Sequence, residues 1–215
     1  MPELNITCLP VGPLETNAYL LTNPLSAEAI LIDPGDEPAR LLAALEASGC
    51  ALRALVCTHA HFDHIGAAAS IQAHRDLPLL CHPADVPLVE HMQQIQASYG
   101  FPPTEVPRLE ASLVEGRELA LGGIRLAVRH VPGHSPGHVM LFWEGAALVG
   151  DCIFAGSVGR TDLPGGSFRQ LEASIRRCIY VLPGATRLYP GHGPPTTVAA
   201  EMATNPFVRP EGPPA

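Results

Sequence analysis

The stretch LRALVCTHAHFDH, residues 52–64, joins a compact apolar run to a cluster of polar side chains. The apolar part, residues 52–57, predicts a buried β-strand. Residues two apart on an extended chain point the same way, so His59 and His61 can hold one metal ion at the end of this strand. Asp63 and His64 lie where the chain turns into a predicted helix over residues 65–74, and they can hold a second ion.

Three more candidate ligands follow apolar, strand-like runs in the same way. They are His134 in the segment HVPGHSPGH (residues 130–138), Asp151 after Val149-Gly150, and His192 in Pro190-Gly191-His192-Gly193. Glycine next to each ligand lets the backbone turn sharply, which helps to bring side chains from distant segments together.

The residue types in this pattern are those that bind transition metals. Imidazole nitrogen and carboxylate oxygen suit zinc, iron and manganese. A carboxylate can bridge two ions, and two ions roughly 3.5–4 Å apart can share a water molecule and hold it as hydroxide near neutral pH. The sequence therefore predicts a dinuclear metal-dependent hydrolase with seven metal ligands: His59, His61, Asp63, His64, His134, Asp151 and His192.

Around these ligands, strand-like and helical patterns alternate along the whole chain. Strands are predicted at residues 4–9, 18–22, 29–32, 52–57, 124–131, 139–143, 146–149 and 187–189. Helices are predicted at residues 37–48, 65–74, 84–99, 168–181 and 196–203. Strands grouped towards both ends with helices between them favour an α/β sandwich with helices outside two sheets. We expect one domain over residues 1–205 and a loose, proline-rich tail over residues 206–215.

Composition limits the partners and the cellular compartment. A net charge of −8 argues against a nucleic-acid partner, which calls for a basic face. The sequence has neither an apolar segment long enough to span a membrane nor a basic start followed by an apolar stretch. The six cysteines are scattered without a Cys-x-x-Cys pair, which is typical of reduced thiols. We therefore expect a cytoplasmic protein without a membrane or nucleic-acid partner, and a homo-oligomer stays open.

The string THAHFDH (residues 58–64), followed by His134, Asp151 and His192, resembles the metallo-β-lactamase-fold superfamily. The resemblance runs from near Asn17 to about Asn205. It implies a four-layer αββα sandwich with the metals at one edge. It also implies that His59, His61 and His134 hold metal one, that Asp63, His64 and His192 hold metal two, and that Asp151 bridges them.

Within that superfamily, the chain is similar to glyoxalase II-like hydrolases. The segments that carry this similarity are residues 130–138 and GDCIFAGSVGRTD (residues 150–162), the latter typical of a short bacterial branch. The similarity implies a small-molecule substrate, a hydroxyacyl-thiol thioester, cleaved through a metal-bridging hydroxide. Classical members continue into a helical domain that helps to hold glutathione, whereas this chain ends soon after Phe207, so the thiol carrier stays open.

This interpretation assigns roles to individual residues. Asp63 and Asp151 are the candidate catalytic residues: Asp63 orients the attacking water and Asp151 bridges the ions. The cofactors are two divalent ions, with zinc preferred and iron or manganese as alternatives. Arg160 is the candidate for binding a substrate carboxylate, and an ion pair with Asp162 is the alternative. Asp33 caps a turn or supports a ligand.

Persulfide dioxygenases are the main alternative, because they share the His-x-His-x-Asp-His string and a segment similar to GRTD (residues 159–162). That resemblance implies one iron held by His59, His134 and Asp151, and a reaction that consumes oxygen. The hydrolase is the preferred interpretation. A lactonase or a true β-lactamase is less favoured, and a non-enzymatic binding module is disfavoured because all seven ligands are present.

Overall fold

The first of two sheets contains the strand that leads to the His-x-His-x-Asp-His string. The computed structural model describes residues 4–210. The strands of this sheet are β1 (Asn5–Val11), β2 (Thr16–Asn23), β3 (Glu28–Ile32), β4 (Ala51–Val56), β5 (Leu79–Leu80) and β6 (Leu109–Glu110), and they pair in that order. β1, β2 and β3 are antiparallel, and β3 to β6 run parallel.

The remaining strands are β7 (Glu118–Leu121), β8 (Ile124–His130), β9 (Val139–Trp143), β10 (Ala146–Gly150), β11 (Ile153–Phe154), β12 (Ser157–Val158), β13 (Arg187–Pro190) and β14 (Thr196–Thr197). β11 and β12 form a short hairpin, and the others form the second sheet in the order β14-β13-β10-β9-β8-β7. β10 and β13 are parallel, so their carboxyl ends meet at one edge of the sheet.

Residues 4–210 contain seven α-helices: α1 (Pro38–Ser48), α2 (Phe62–Ile65), α3 (Ala68–Gln72), α4 (Val86–Glu90), α5 (Met92–Ser98), α6 (Phe168–Ser174) and α7 (Val198–Thr204). α6 continues into a π-helical turn at Ile175–Ile179, and a 3-10 turn at Pro83–Asp85 precedes α4. Among residues 4–210, none of the helices has the length and apolar character that crossing a bilayer requires.

Side chains of the inner strands point alternately to the two faces of each sheet, and the described residues form three apolar layers. In β3, Leu31 packs with the helices outside the first sheet, whereas Ile30 and Ile32 pack with side chains of the second sheet. On the far face of the second sheet, Ala147 and Val149 pack against the helical residue Ile175 and its neighbours. Successive side chains of a strand point to opposite faces, so strands buried on both faces are almost continuously apolar. The αββα sandwich predicted from the sequence is confirmed.

The end of the described chain packs against the residues around Tyr180. Val208 is buried, and its carbonyl oxygen accepts a hydrogen bond of 2.8 Å from the Tyr180 hydroxyl. The Arg209 carbonyl accepts a second bond of 3.0 Å from Arg176. One apolar side chain among prolines is enough to dock residues 206–209, and the domain boundary at residue 205 stays a prediction. Residues 211–215 of the predicted tail lie outside the described residues.

Candidate metal centre

All seven predicted metal ligands meet at one edge of the sandwich. Each lies just beyond the end of a strand: His59 after β4, His134 after β8, Asp151 after β10 and His192 after β13. Their ligand atoms form three groups within 4.8 Å: His59, His61 and His134; Asp63, His64 and His192; and His59, His64 and Asp151. The first two groups coincide with the two trios implied by the resemblance.

In the first trio, three ring nitrogens converge on one point. His134 Nε2 lies 2.9 Å from His61 Nδ1 and 3.2 Å from His59 Nε2. Bare nitrogen lone pairs repel at this distance unless a proton or a cation lies between them. A tetrahedral zinc ion with Zn–N bonds of about 2.0–2.1 Å holds its nitrogens about 3.3 Å apart, which is close to the spacing here.

Hydrogen bonds on the far side of the rings fix which nitrogen faces the centre. His134 Nδ1 lies 2.7 Å from the Arg160 carbonyl oxygen, and His192 Nδ1 lies 3.0 Å from that of Leu14. A carbonyl oxygen can only accept, so each Nδ1 donates its hydrogen and each Nε2 presents a lone pair. His59 Nδ1 lies 3.1 Å from the Thr58 hydroxyl, which leaves its Nε2 free as well.

The second trio mixes a carboxylate with two imidazoles. Asp63 Oδ2 lies 3.3 Å from His192 Nε2 and 3.6 Å from His64 Nε2. The Thr16 hydroxyl donates a 3.0 Å hydrogen bond to the same oxygen and holds the carboxylate in place. On the other side of the His64 ring, Nδ1 lies 3.1 Å from Asp33 Oδ2.

Asp151 lies between the two trios. Its Oδ2 is 3.5 Å from His134 Nε2 of the first trio and 3.6 Å from His192 Nε2 of the second. Its Oδ1 is 3.5 Å from His64 Nε2. Asp151 Oδ1 and His64 Nε2 are both buried, and neither has a hydrogen-bond partner among the described residues. Buried polar atoms need a partner, and a cation between them supplies one, so the donor set fits two divalent ions.

Asp33 contacts Thr58 and His64, so its carboxylate supports the ligand cluster in addition to capping a turn. Its Oδ1 accepts a 2.6 Å hydrogen bond from the Thr58 amide, and its Oδ2 accepts one of 2.8 Å from the Thr58 hydroxyl. The same carboxylate therefore orients His59 through Thr58 and faces His64 directly. Of the two roles that the sequence left open, these contacts favour support of the candidate ligands.

The electrostatic environment differs between the trios. Burial lowers the pKa of His61 to about 3 and that of His134 to about 4, and it lowers the pKa of His59 well below its usual range. Burial also lowers the pKa of His64, but the carboxylates of Asp63, Asp151 and Asp33 outweigh it and raise this pKa to about 10. Burial therefore favours the neutral form of the first trio at neutral pH, whereas the three carboxylates favour the charged imidazolium form of His64.

We therefore expect the two metals to depend differently on pH. Metal bound by the second trio must displace the His64 proton, so its affinity should rise by about tenfold per pH unit between about pH 6 and pH 9. The affinity of the first trio should stay nearly constant over this range. Titration calorimetry of the metal-free protein with Zn²⁺, in buffers of different ionisation enthalpy, measures the protons released with each metal. Release of no proton with either ion would contradict the assignment.

A buried carboxylate that the sequence analysis did not single out ties the first trio together. Asp85 Oδ2 accepts hydrogen bonds from the Ala60 amide at 3.1 Å and from the Ser135 hydroxyl at 2.7 Å. Its Oδ1 accepts one from the Gly137 amide at 2.6 Å. Ala60 lies between His59 and His61, and Ser135 follows His134, so one side chain connects both loops that carry the trio. The available signal was its place after the apolar run Leu79-Leu80-Cys81, the pattern that the other ligands share.

Replacing Asp85 with asparagine should weaken this connection. Every group that faces the carboxylate is a donor, so the new amide NH₂ leaves at least one donor unpaired, at a cost of about 1–3 kcal/mol of unfolding free energy. Loss of ligand positioning should weaken the first metal by about 10–100-fold. Competition with a chromophoric zinc chelator measures the affinity. The same substitution at exposed Asp76 is the control. Lower stability with unchanged affinity would mean that Asp85 is only structural.

A cleft of about 470 Å³ opens onto the metal centre. Arg160, the predicted substrate-carboxylate ligand, lines it, and its carbonyl holds His134. One edge of its guanidinium, however, is paired with Asp162, Nε to Oδ1 at 2.8 Å and Nη2 to Oδ2 at 2.7 Å. The ion pair named as the alternative for Arg160 is therefore present, and the Asp162 carboxylate offsets the positive charge of this side chain.

Comparison with known proteins identifies the family of the chain. A family model described as the metallo-β-lactamase superfamily matches residues 11–192. The probable metallo-hydrolase YqgX of Bacillus subtilis is 37% identical, over 93% of this chain and 95% of its own length. The hydroxyacylglutathione hydrolase GloC of Haemophilus influenzae is 33% identical, over 95% of this chain and 98% of its own length.

Solved structures with a similar fold differ in their stated chemistry. TTHA1623 in a di-iron-bound form is 42% identical with a TM-score of 0.85, covering 94% of this chain and 100% of that one. The B3 metallo-β-lactamase BLEG-1 is 36% identical with a TM-score of 0.85, covering 95% and 99%. ETHE1 from Myxococcus xanthus, at 24% identity and a TM-score of 0.76 over 94% and 83%, shares the fold.

Proposed function

The chain belongs to the metallo-β-lactamase superfamily, and from this premise we propose that it is a dinuclear hydrolase of hydroxyacyl-thiol thioesters. The observation that carries the proposal is the position of Asp151, whose carboxylate faces imidazoles of both trios at 3.5–3.6 Å. A shared carboxylate between two three-ligand groups is the arrangement that a pair of ions needs. Similarity to a hydroxyacylglutathione hydrolase over nearly the whole chain supports the thioester as substrate.

Zinc is the metal that we propose, with iron or manganese as alternatives. The donor set is five imidazoles and two carboxylates, which suits all three ions. Similarity to a protein solved in a di-iron-bound form supports two ions per chain and keeps iron open.

When bound, the two ions supply a nucleophilic water near neutral pH and a Lewis acid for the carbonyl of the substrate. The protein's own part is to orient the ligands. His134 and His192 donate Nδ1–H to backbone carbonyls, so their basic nitrogens face the reacting groups. Asp63, fixed by the Thr16 hydroxyl, is placed to accept a hydrogen bond from the attacking water.

The leaving group explains why the cluster works without a strong acid. A thiol has a reference pKa of about 8.5, so its thiolate leaves the acyl carbon without prior protonation. The carboxylate of Asp63 is instead placed to accept a hydrogen bond from the attacking water. His64 and His192 hold the pKa of Asp63 well below its usual range against the effect of burial, which favours the carboxylate form that accepts hydrogen bonds.

Three assays on the zinc-loaded and the iron-loaded protein test the proposal. We expect hydrolysis of a lactoyl thioester, without oxygen uptake on a persulfide and without cleavage of a β-lactam. Replacement of His192 by alanine separates the two main alternatives, because a single iron held by His59, His134 and Asp151 does not use this side chain. The hydrolase should then lose at least about a hundredfold in kcat/KM. Oxygen uptake that survives in this variant would overturn the proposal in favour of a dioxygenase.

A further inference from the structure

The wall of the cleft beyond the metal ligands is apolar and partly aromatic. Phe62, on α2, lies 5.1 Å from Phe101 and 6.1 Å from Tyr99 between ring centroids. Tyr99 is 52% exposed although it faces the cleft. The apolar lining consists of Leu14, Phe62, Leu88, Ile95, Tyr99, Phe101, Leu163 and Pro164. An exposed aromatic ring at the mouth of a pocket is a favourable contact for an apolar ligand group.

Positive charge, in contrast, is scarce in this cleft. All 13 basic residues of the sequence are arginines, and among the described residues that line the cleft only Arg160 is one of them. Asp162 pairs with one edge of its guanidinium and offsets its positive charge. Recognition of a substrate carboxylate calls for a cation that is not already compensated, and a carboxylate that lies against an apolar wall loses hydration without a compensating contact.

From these two observations we infer that the sulfur of the substrate carries an apolar, uncharged group that lies against Tyr99, Phe101 and Phe62. Assigning this group to the sulfur side rests on the proposed function, in which the acyl part is a small hydroxyacyl group. The cleft volume of about 470 Å³ is sufficient for a small acyl group and one such substituent. A peptide-like thiol with several carboxylates is a poor match for this wall.

Three lactoyl thioesters that differ only in the thiol test the inference: 2-phenylethanethiol, N-acetylcysteamine and glutathione. Binding is measured separately with thioether analogues, in which a CH₂ group replaces the thioester carbonyl, by calorimetry on the zinc-loaded protein. We expect the phenylethyl analogue to bind at least about tenfold more tightly than either of the others. The order of kcat/KM should be the same.

Substitutions at two equally exposed aromatic positions, Tyr99 and Phe207, test whether the binding preference arises in the cleft. Replacement of Tyr99 by alanine should remove most of the preference for the phenylethyl analogue, and replacement by phenylalanine should keep it. Phe207→Ala is the control, because Phe207 is also 52% exposed and does not line the cleft. Equal or tighter binding of the glutathione analogue, or an equal loss in Tyr99→Ala and Phe207→Ala, would overturn the inference. Binding in the expected order without hydrolysis of any thioester would overturn the proposed function and leave the apolar subsite in place.

Discussion

The Asp151→Ala protein should bind one metal ion or fewer and lose at least about a thousandfold in kcat/KM, the equivalent of about 4 kcal/mol in the activation barrier. Asp151 is the one carboxylate within 3.6 Å of imidazoles from both trios in the described chain, so no neighbour replaces it as a bridge. Elemental analysis of the purified variant and its thioester hydrolysis rate measure the two effects.

The fold should survive this substitution. The Asp151 side chain makes no hydrogen bond to another residue of the described chain, and its Oδ1 is unpartnered. Burial raises the pKa of this carboxyl, which means that its charge is unfavourable without a cation nearby. We expect the metal-free variant to melt within about 4 °C of the metal-free parent, which corresponds to about 1 kcal/mol.

Asp76→Ala provides the control, because it removes a carboxylate that is 94% exposed in its side chain. This variant should keep two metals and full activity. Full activity in Asp151→Ala, or two metals retained there, would contradict the bridging role. A collapse of the metal-free fold would show that Asp151 is structural instead.

A second large effect is expected at Gly191, which precedes the ligand His192. A Cβ atom at this position would overlap Asp151 Oδ1 and approach His64 Cε1 to 2.7 Å. The backbone cannot move away easily, because the Gly191 amide donates to the Gly150 carbonyl at 2.9 Å and its own carbonyl accepts from Asn17 at 2.7 Å. The Gly191→Ala protein should therefore displace two ligands, lose the second metal and lose at least about a hundredfold in kcat/KM.

Gly193, two residues further along, separates this overlap from general backbone strain. Its φ of 71° is in the left-handed region, and a Cβ atom there would meet no atom within 4 Å. Gly193→Ala should thus cost about 1 kcal/mol of stability through strain alone and keep both metals. If the two variants lose metal to the same extent, the close packing around Asp151 is not what holds the site together.

The clustering of the seven candidate ligands could be predicted from the sequence because they follow apolar runs that form strands. The ends of β4 and β13 lie at the same edge of the sandwich, so His59 and His192 lie close together although they are far apart in the chain. A helix was expected to begin at residue 65, but the helix that carries Asp63 and His64 begins at Phe62. Gly66 and Ala67 then separate α2 from α3.

Other features depend on packing that a single sequence does not reveal. The two-residue strands β5 and β6 are too short to show a period, and the apolar run at Leu79 marks the place of Asp85 but does not show which donors its carboxylate meets. Arg160 has the right chemistry to bind a carboxylate, and only the coordinates show that its guanidinium pairs with Asp162. The C-terminal segment was expected to be loose because it is rich in proline, and the burial of its one valine, Val208, cannot be seen in the sequence.

The metal content per chain tests the central claim most directly. Elemental analysis is carried out on protein purified without added metal or chelator. Two trios with a shared carboxylate should yield about two equivalents of zinc, iron or manganese. One equivalent of iron alone would contradict the dinuclear hydrolase and favour the oxygen-consuming alternative with His59, His134 and Asp151 as its ligands.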